Sequence, residues 1–215
     1  MLSATNKYPG IFFILLLIIT SCKKSNDDTE PSYNYDYAHS YLPLKTGNTW
    51  TYIRNGNDTV TLTADGSTFE QGLQEFHSVS GAVNDGAYYS QNSNLYSMMI
   101  YPSNGIAFGG SILDSSQPDG YTVTTKSPFS DPNDPAPPLS IMTINGNGFN
   151  KTINGKNYQD VIHTNVDIEE AFNGSYMSVR TYDFYFAPGI GLIEIDKSNL
   201  GIQYETLTIV NYKIQ

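Results

Sequence analysis

Residue types that bear chemistry are sparse in this chain, and their spacing says mostly what they cannot do together. His163, Asn165, Asp167 and Glu169 alternate, so an extended strand would put all four on one face. Alternate residues on a strand stand about 6.6 Å apart, which leaves about 13 Å between His163 and Asp167, too far for one ion. They read as a solvated polar face. Asp131, Asn133 and Asp134 carry oxygens of the kind calcium takes, but no central glycine and no later bidentate acid completes a loop. The three histidines, His39, His77 and His163, lie in no G-x-S-x-G elbow and no H-E-x-x-H helix. Gly109-Gly110 and Gly189-x-Gly191 lack the following helix that would cradle a phosphate. Glu169 and Glu170, adjacent on a strand, point to opposite faces and cannot act as a glycosidase pair. No catalytic residue, metal or cofactor is expected. What remains is aromatic surface: of 17 tyrosines, Tyr88, Tyr89, Tyr96, Tyr101 and Tyr121 are candidates for binding, weighed against the plainer role of covering a β core.

One residue does point to a definite reaction. Cys22 is the sole cysteine and follows Ile19, Thr20 and Ser21 at the end of the apolar run IFFILLLIITSC. That run is short of the roughly 20 residues that span a bilayer but fits the apolar region of a secretory signal, with Lys7 and the amino terminus as its positive flank. Small residues directly before a cysteine, with Ile19 three positions upstream, resemble the lipobox of bacterial lipoproteins. The chemistry suits a thiol, which is alkylated to a stable thioether carrying a diacylglyceryl group; two or more acyl chains then anchor a protein stably. Residues 1–21 are thus expected to be a signal peptide and Cys22 the lipidated first residue. With its one thiol so used, the chain has no internal disulfide, cysteine nucleophile or thiolate metal site.

The anchor must be followed by something to hold. Lys23 to Ser40 is polar, rich in Asp and Glu and without apolar period, so residues 22–40 are expected to be an acidic tether, about 20–25 Å end to end for a flexible chain. Its start, SCKKSNDDTE, resembles that of Bacteroidota lipoproteins, in which acids after the cysteine are associated with export to the cell surface. Residues 41–215 are expected to form one all-β, antiparallel domain, a sandwich or a partly open barrel. Trp50, Tyr52, Val60 and Leu62 share an inward parity around the hairpin signal Asn55-Gly56. Further breaks are expected at Asp65-Gly66, Asp85-Gly86, Asn104-Gly105, Asp119-Gly120, Asn145-Gly146, Asn154-Gly155 and Asn173-Gly174. Ser127 to Pro138, with five prolines, is an exposed loop, since proline supplies no ladder donor. Ile162, Thr164, Val166 and Ile168 face inward; between Tyr176 and Phe186 the apolar parity switches, which suggests a bulge near Thr181 or a strand covered on both faces. Residues 184–195 make another hairpin. Residues 67–80 and 105–118 show no clear pattern.

Tyr41, Pro43, Leu44, Gly47, Trp50 and Tyr52, with Asn154-Gly155, the run Tyr158 to Val161 and FAPGIGLIEI (186–195), look like a pattern in uncharacterised bacterial envelope lipoproteins of the Bacteroidota type. There a PLxxGxxWxY strand opens a domain of unknown function and an APGxGL hairpin sits near its end; Phe186 stands where the pattern often has Tyr or Trp. The resemblance implies a β-rich fold in which Trp50, Tyr52, Pro188, Gly189 and Gly191 are architectural. A chain with 11 Lys+Arg against 21 Asp+Glu is unsuited to nucleic acid. The leading expectation is a non-catalytic binding or interaction lipoprotein of the cell envelope, lipid-anchored in the outer membrane and facing the periplasm or the exterior. A carrier holding a lipid or other apolar ligand in an open barrel comes second, and a hydrolase third. Candidate partners are the membrane, a carbohydrate, an apolar ligand or an envelope protein.

Overall fold

The computed structural model describes residues 39–71, 74–81, 86–101, 108–131 and 133–215; the expected signal peptide, Cys22 and nearly all of the expected tether lie outside them. The described residues all fall in one compact unit. The described residues build twelve strands and no helix: β1 (Thr49–Arg54), β2 (Asp58–Gln71), β3 (Gln74–Gly81), β4 (Gly86–Asn92), β5 (Leu95–Tyr101), β6 (Phe108–Asp114), β7 (Thr122–Lys126), β8 (Leu139–Ile153), β9 (Lys156–Phe172), β10 (Ser175–Ala187), β11 (Gly191–Asn199) and β12 (Ile202–Lys213).

Every strand pairs antiparallel with its sequence neighbours except at one place, and β1 pairs with β12, so the sheet order runs β6-β5-β4-β3-β2-β1-β12-β11-β10-β9-β8-β7. The result is an up-and-down barrel open along one seam, between β6 and β7. The partly open barrel is therefore the form the all-β expectation takes. At the seam β6 is laid across β8 and β9, and the buried Thr164 hydroxyl donates to the Ile112 carbonyl at 2.7 Å. Close approach here needs glycine. A Cβ on Gly109 would stand 2.8 Å from Pro128, and one on Gly110 would stand 2.6 Å from Ser140 Oγ.

Side chains fill the barrel. Tyr182, Phe184 and Phe186 project inward at every second position of β10, with successive ring centroids 5.7 and 5.9 Å apart, and Phe108 of β6 stacks on Tyr182 at 6.0 Å. Apolar alternation on β8 and β9 closes the other side with Met142, Ile144, Ile162, Val166 and Ile168. The parity switch in β10 is a bulge between Ser178 and Arg180, a little before the expected position.

Turn chemistry accounts for much of the order. Asn55-Gly56, Asn154-Gly155 and Asn173-Gly174 all take left-handed φ at both residues and close hairpins. Asp65-Gly66 and Asn145-Gly146 do not turn the chain: each sits at an irregular pairing inside a long strand, β2 and β8. A bulge needs the same backbone freedom as a turn, so the dipeptide alone does not separate the two. Gly86 begins β4, and Asp85 and Asn104-Gly105 lie outside the described residues. The stretches without pattern hold the end of β2, β3 and β6.

Candidate interaction surfaces

The barrel has two unlike ends. The described chain enters at the end where the β4–β5, β8–β9 and β10–β11 turns lie. There Ser40 Oγ donates to Gln91 and Gly189 N to the Ser40 carbonyl, while Tyr41 N donates to Tyr96 Oη. The two parts of the lipoprotein-like pattern meet at this end. Trp50, 4 % exposed, donates from Nε1 to the Ile190 carbonyl, and Tyr52 Oη donates to the Leu192 carbonyl at 2.8 Å. Gly189 and Gly191 have φ of +70° and +104°, and a Cβ on Gly191 would press at 3.3 Å on Pro43 and on Trp50. Trp50, Tyr52, Pro188, Gly189 and Gly191 thus form one joint between the opening strand and the β10–β11 turn.

At the opposite end the β9–β10 and β11–β12 hairpins stand side by side. Residues 171–178 and 199–204 are all exposed, and the exposed set includes Phe172 at 63 %, Met177 at 51 %, Leu200 at 67 % and Ile202 at 74 %, with Tyr176 and Tyr204 beside them. β9, with 17 residues, runs roughly 55 Å, whereas β6 and β7 have 7 and 5 residues and leave the hairpin ends uncovered. Leu200 has φ +48°, a conformation rare for leucine, at the turn position that Asn fills in three of the other hairpins and Ser93 in the β4–β5 turn. Pattern reading passed over this cluster because Leu200-Gly201 carries no turn signal in its first residue.

The outer face of β8 to β11 is polar and internally paired. His163 Nε2 lies 2.8 Å from Asp183 Oδ1, to which Asn165 also donates, and the His163 ring stacks on Tyr185 at 4.3 Å. Lys151 sits 3.6 Å from the Tyr185 ring centre and bonds Glu194 at 3.0 Å. The hydrogen bond from His163, helped by Asn165 and opposed by burial, holds the Asp183 carboxyl below the usual range. Burial, and then Glu194, push the Tyr185 phenol up to about 12. Asp167 is occupied by Ser178 and Thr181. His163 and Asp167 find their partners on neighbouring β10, Lys151 reaches Glu194 on β11, and no cluster of three or more metal-ligating side chains occurs among the described residues. Sequence spacing along β9 alone does not reveal Asp183, which lies across the ladder.

The candidate tyrosines are not gathered into one ledge. Tyr89 and Tyr96 are buried in the core, and Tyr121 packs partly buried against it. Tyr88 is on the other face, edge-on to Phe69, and the Tyr101 side chain lies outside the described set. Voids among the core side chains measure about 50, 30 and 20 Å³, far from the roughly 300–1,000 Å³ of a small-molecule pocket. His77 is half-buried, and burial lowers its pKa despite Glu75 at 3.8 Å.

In class, then, this is a filled, single-seam, twelve-stranded antiparallel barrel with a paired polar flank and an apolar far end. No protein-family profile and no curated protein matches the chain. Two solved structures are similar. One is a protein provisionally described as exported, with a YmcC-like fold, from Bacteroides fragilis; it is 10 % identical over 81 % of this chain and 99 % of that one, with a TM-score of 0.41. The other is provisionally described as a lipoprotein, from Parabacteroides distasonis; it is 9 % identical over 82 % of this chain and 99 % of that one, with a TM-score of 0.36.

Proposed function

We propose that the protein is a non-catalytic interaction lipoprotein of the bacterial cell envelope, anchored in the outer membrane through Cys22 and docking an envelope protein at its far barrel end. The observation that carries this reading is the exposed apolar set Phe172, Met177, Leu200 and Ile202 on two adjacent hairpins at the end opposite the entry of the tether. Isolated apolar surface residues need no explanation, but four large ones on two adjacent hairpins do. Leu200 adds weight, because a left-handed leucine costs roughly 1–2 kcal/mol relative to an ordinary conformation and here gains no burial. The tether adds direction: a chain anchored at one end presents the other end outward. Against the carrier reading stand the small core voids.

Two measurements test the proposal. Metabolic labelling with a tritiated fatty acid should mark the wild-type chain and leave Cys22→Ser unlabelled and unprocessed. Photo-crosslinkers placed in cells at 172 or 202 should trap a discrete envelope protein, whereas a crosslinker at 163 on the polar flank should not. Labelling that survives Cys22→Ser would remove the anchor. Equal crosslinking from all three positions would remove the docking end.

A further inference from the structure

A groove of about 280 Å³ lies on the outer face of the sheet, where the β2–β3 hairpin, β5, β6 and the segment after β7 come together. Its walls are built from matched cross-strand pairs. Gln71 and Gln74 stand directly opposite one another across the β2–β3 hairpin, and Ser97 and Ser111 do the same across β5 and β6. Residues directly opposite on one face have Cβ atoms about 5 Å apart, so the groove presents two carboxamides side by side and two hydroxyls side by side. Between them the Met99–Gly109 pair, covered by Pro128, gives an apolar floor with no side chain on one strand. Lys126 is the only ionisable residue of the lining.

These polar groups are unspent. Among the described residues, the side chains of Gln71, Gln74, Ser97, Ser111 and Lys126 have no hydrogen-bond or ion-pair partner in the protein. Ser97 is only 7 % exposed and lines the groove, where a ligand hydroxyl would take the place of water as its partner. The contrast with the polar flank, where His163, Asp183, Lys151 and Glu194 satisfy one another, makes the groove the place where polar capacity faces outward.

We infer that this groove binds a sugar residue bearing a carboxylate, at the end of, or within, an acidic saccharide. Paired carboxamides and hydroxyls both donate and accept, as vicinal sugar hydroxyls require. The apolar floor suits the C–H face of a pyranose ring, and the lone ammonium of Lys126 suits one anionic substituent. A volume at the lower edge of the roughly 300–1,000 Å³ of small-molecule pockets suits one ring and its substituents better than a longer ligand. β5, which carries Met99, is paired on both edges and offers a bound peptide no free backbone. The inference stands apart from docking at the hairpin ends and survives its failure.

Calorimetric titration of the full chain in neutral detergent is the test. The probes are glucuronic acid, an oligosaccharide ending in glucuronic acid, glucose, and a short peptide rich in Ser and Gln. The acidic saccharides should bind saturably and glucose about tenfold more weakly, as expected for loss of a charge-assisted hydrogen bond. Lys126→Gln should erase that preference, and Gln74→Ala should weaken all the saccharides about tenfold, with both variants melting like the parent. Tighter binding of the oligosaccharide than of free glucuronic acid would assign the groove to a polymer end, and equal binding to a free sugar acid. The inference is overturned by no saturable saccharide binding, by binding indifferent to both substitutions, or by preference for the peptide.

Discussion

At the scale of single residues, the buried polar atoms decide what is structural. Trp50 fills the joint beneath the β10–β11 turn and spends its indole N–H on Ile190. Trp50→Ala should cost about 3–5 kcal/mol by cavity formation, a large part of a typical domain's stability, and chemical denaturation will read it as a fall in midpoint. An unchanged midpoint would mean that the ring does not pack as described. Ser140 gives the opposite case: it is 1 % exposed, and its hydroxyl has no hydrogen-bond partner. Ser140→Ala removes an unsatisfied group and is expected to leave stability unchanged or raise it by about 1 kcal/mol, in the same denaturation assay. A loss above about 1 kcal/mol would reveal a partner for that hydroxyl. The inward parity of Trp50, Tyr52 and Val60 was legible in the alternation around Asn55-Gly56, because a half-buried strand writes burial into every second residue. The Asp183 partner of His163 was not, since cross-strand register depends on turns and bulges that lie elsewhere in the chain.

At the scale of elements, β-hairpins carry both the order of the barrel and its outward apolar end. Three turns use Asn-Gly, whose residues tolerate positive φ, and these were readable from the dipeptide. The β11–β12 turn uses Leu200-Gly201 instead and was not readable, because leucine there follows neither turn propensity nor burial. Strands β3 and β6 were illegible for a related reason. β3 mixes Phe76 and Val79, buried on opposite faces, and β6 has glycine where close packing permits nothing larger. The Leu200 turn makes a sharp prediction. Leu200→Asn should stabilise the domain by about 1 kcal/mol or more, because Asn accepts the left-handed conformation that strains leucine. The same change should weaken the crosslink formed from 202. A stabilised variant that docks as well as the parent would make Leu200 irrelevant to the interface, and a destabilised one would contradict the strain.

At the scale of the whole molecule, the barrel is held by packing, without any cysteine to cross-link it, and two phenols are sealed inside that packing. Tyr52 and Tyr89 are 1 % and 5 % exposed, and burial raises both pKa values above the ordinary tyrosine range. Neighbouring phenols add to the shift, Tyr89 and Tyr158 at Tyr52 and Tyr182 at Tyr89. A raised phenol stays protonated in the folded chain after its unfolded counterpart has ionised. Its contribution is complete below the unfolded pKa of about 10 and is lost as pH climbs from there towards the folded value, because the unfolded state then binds fewer protons. Each such phenol steepens the loss by about 1.4 kcal/mol per pH unit. Urea midpoints should therefore hold up to about pH 10 and fall sharply by about pH 11. Tyr52→Phe should lower the midpoint at about pH 8, since the Leu192 carbonyl loses its donor, yet decline less steeply above about pH 10. Phenolate absorbance supplies the independent check, with a fraction of the 17 tyrosines ionising only as the barrel unfolds. If all 17 titrate together near pH 10 while the fold persists, the two rings are not sealed and the filled barrel is wrong.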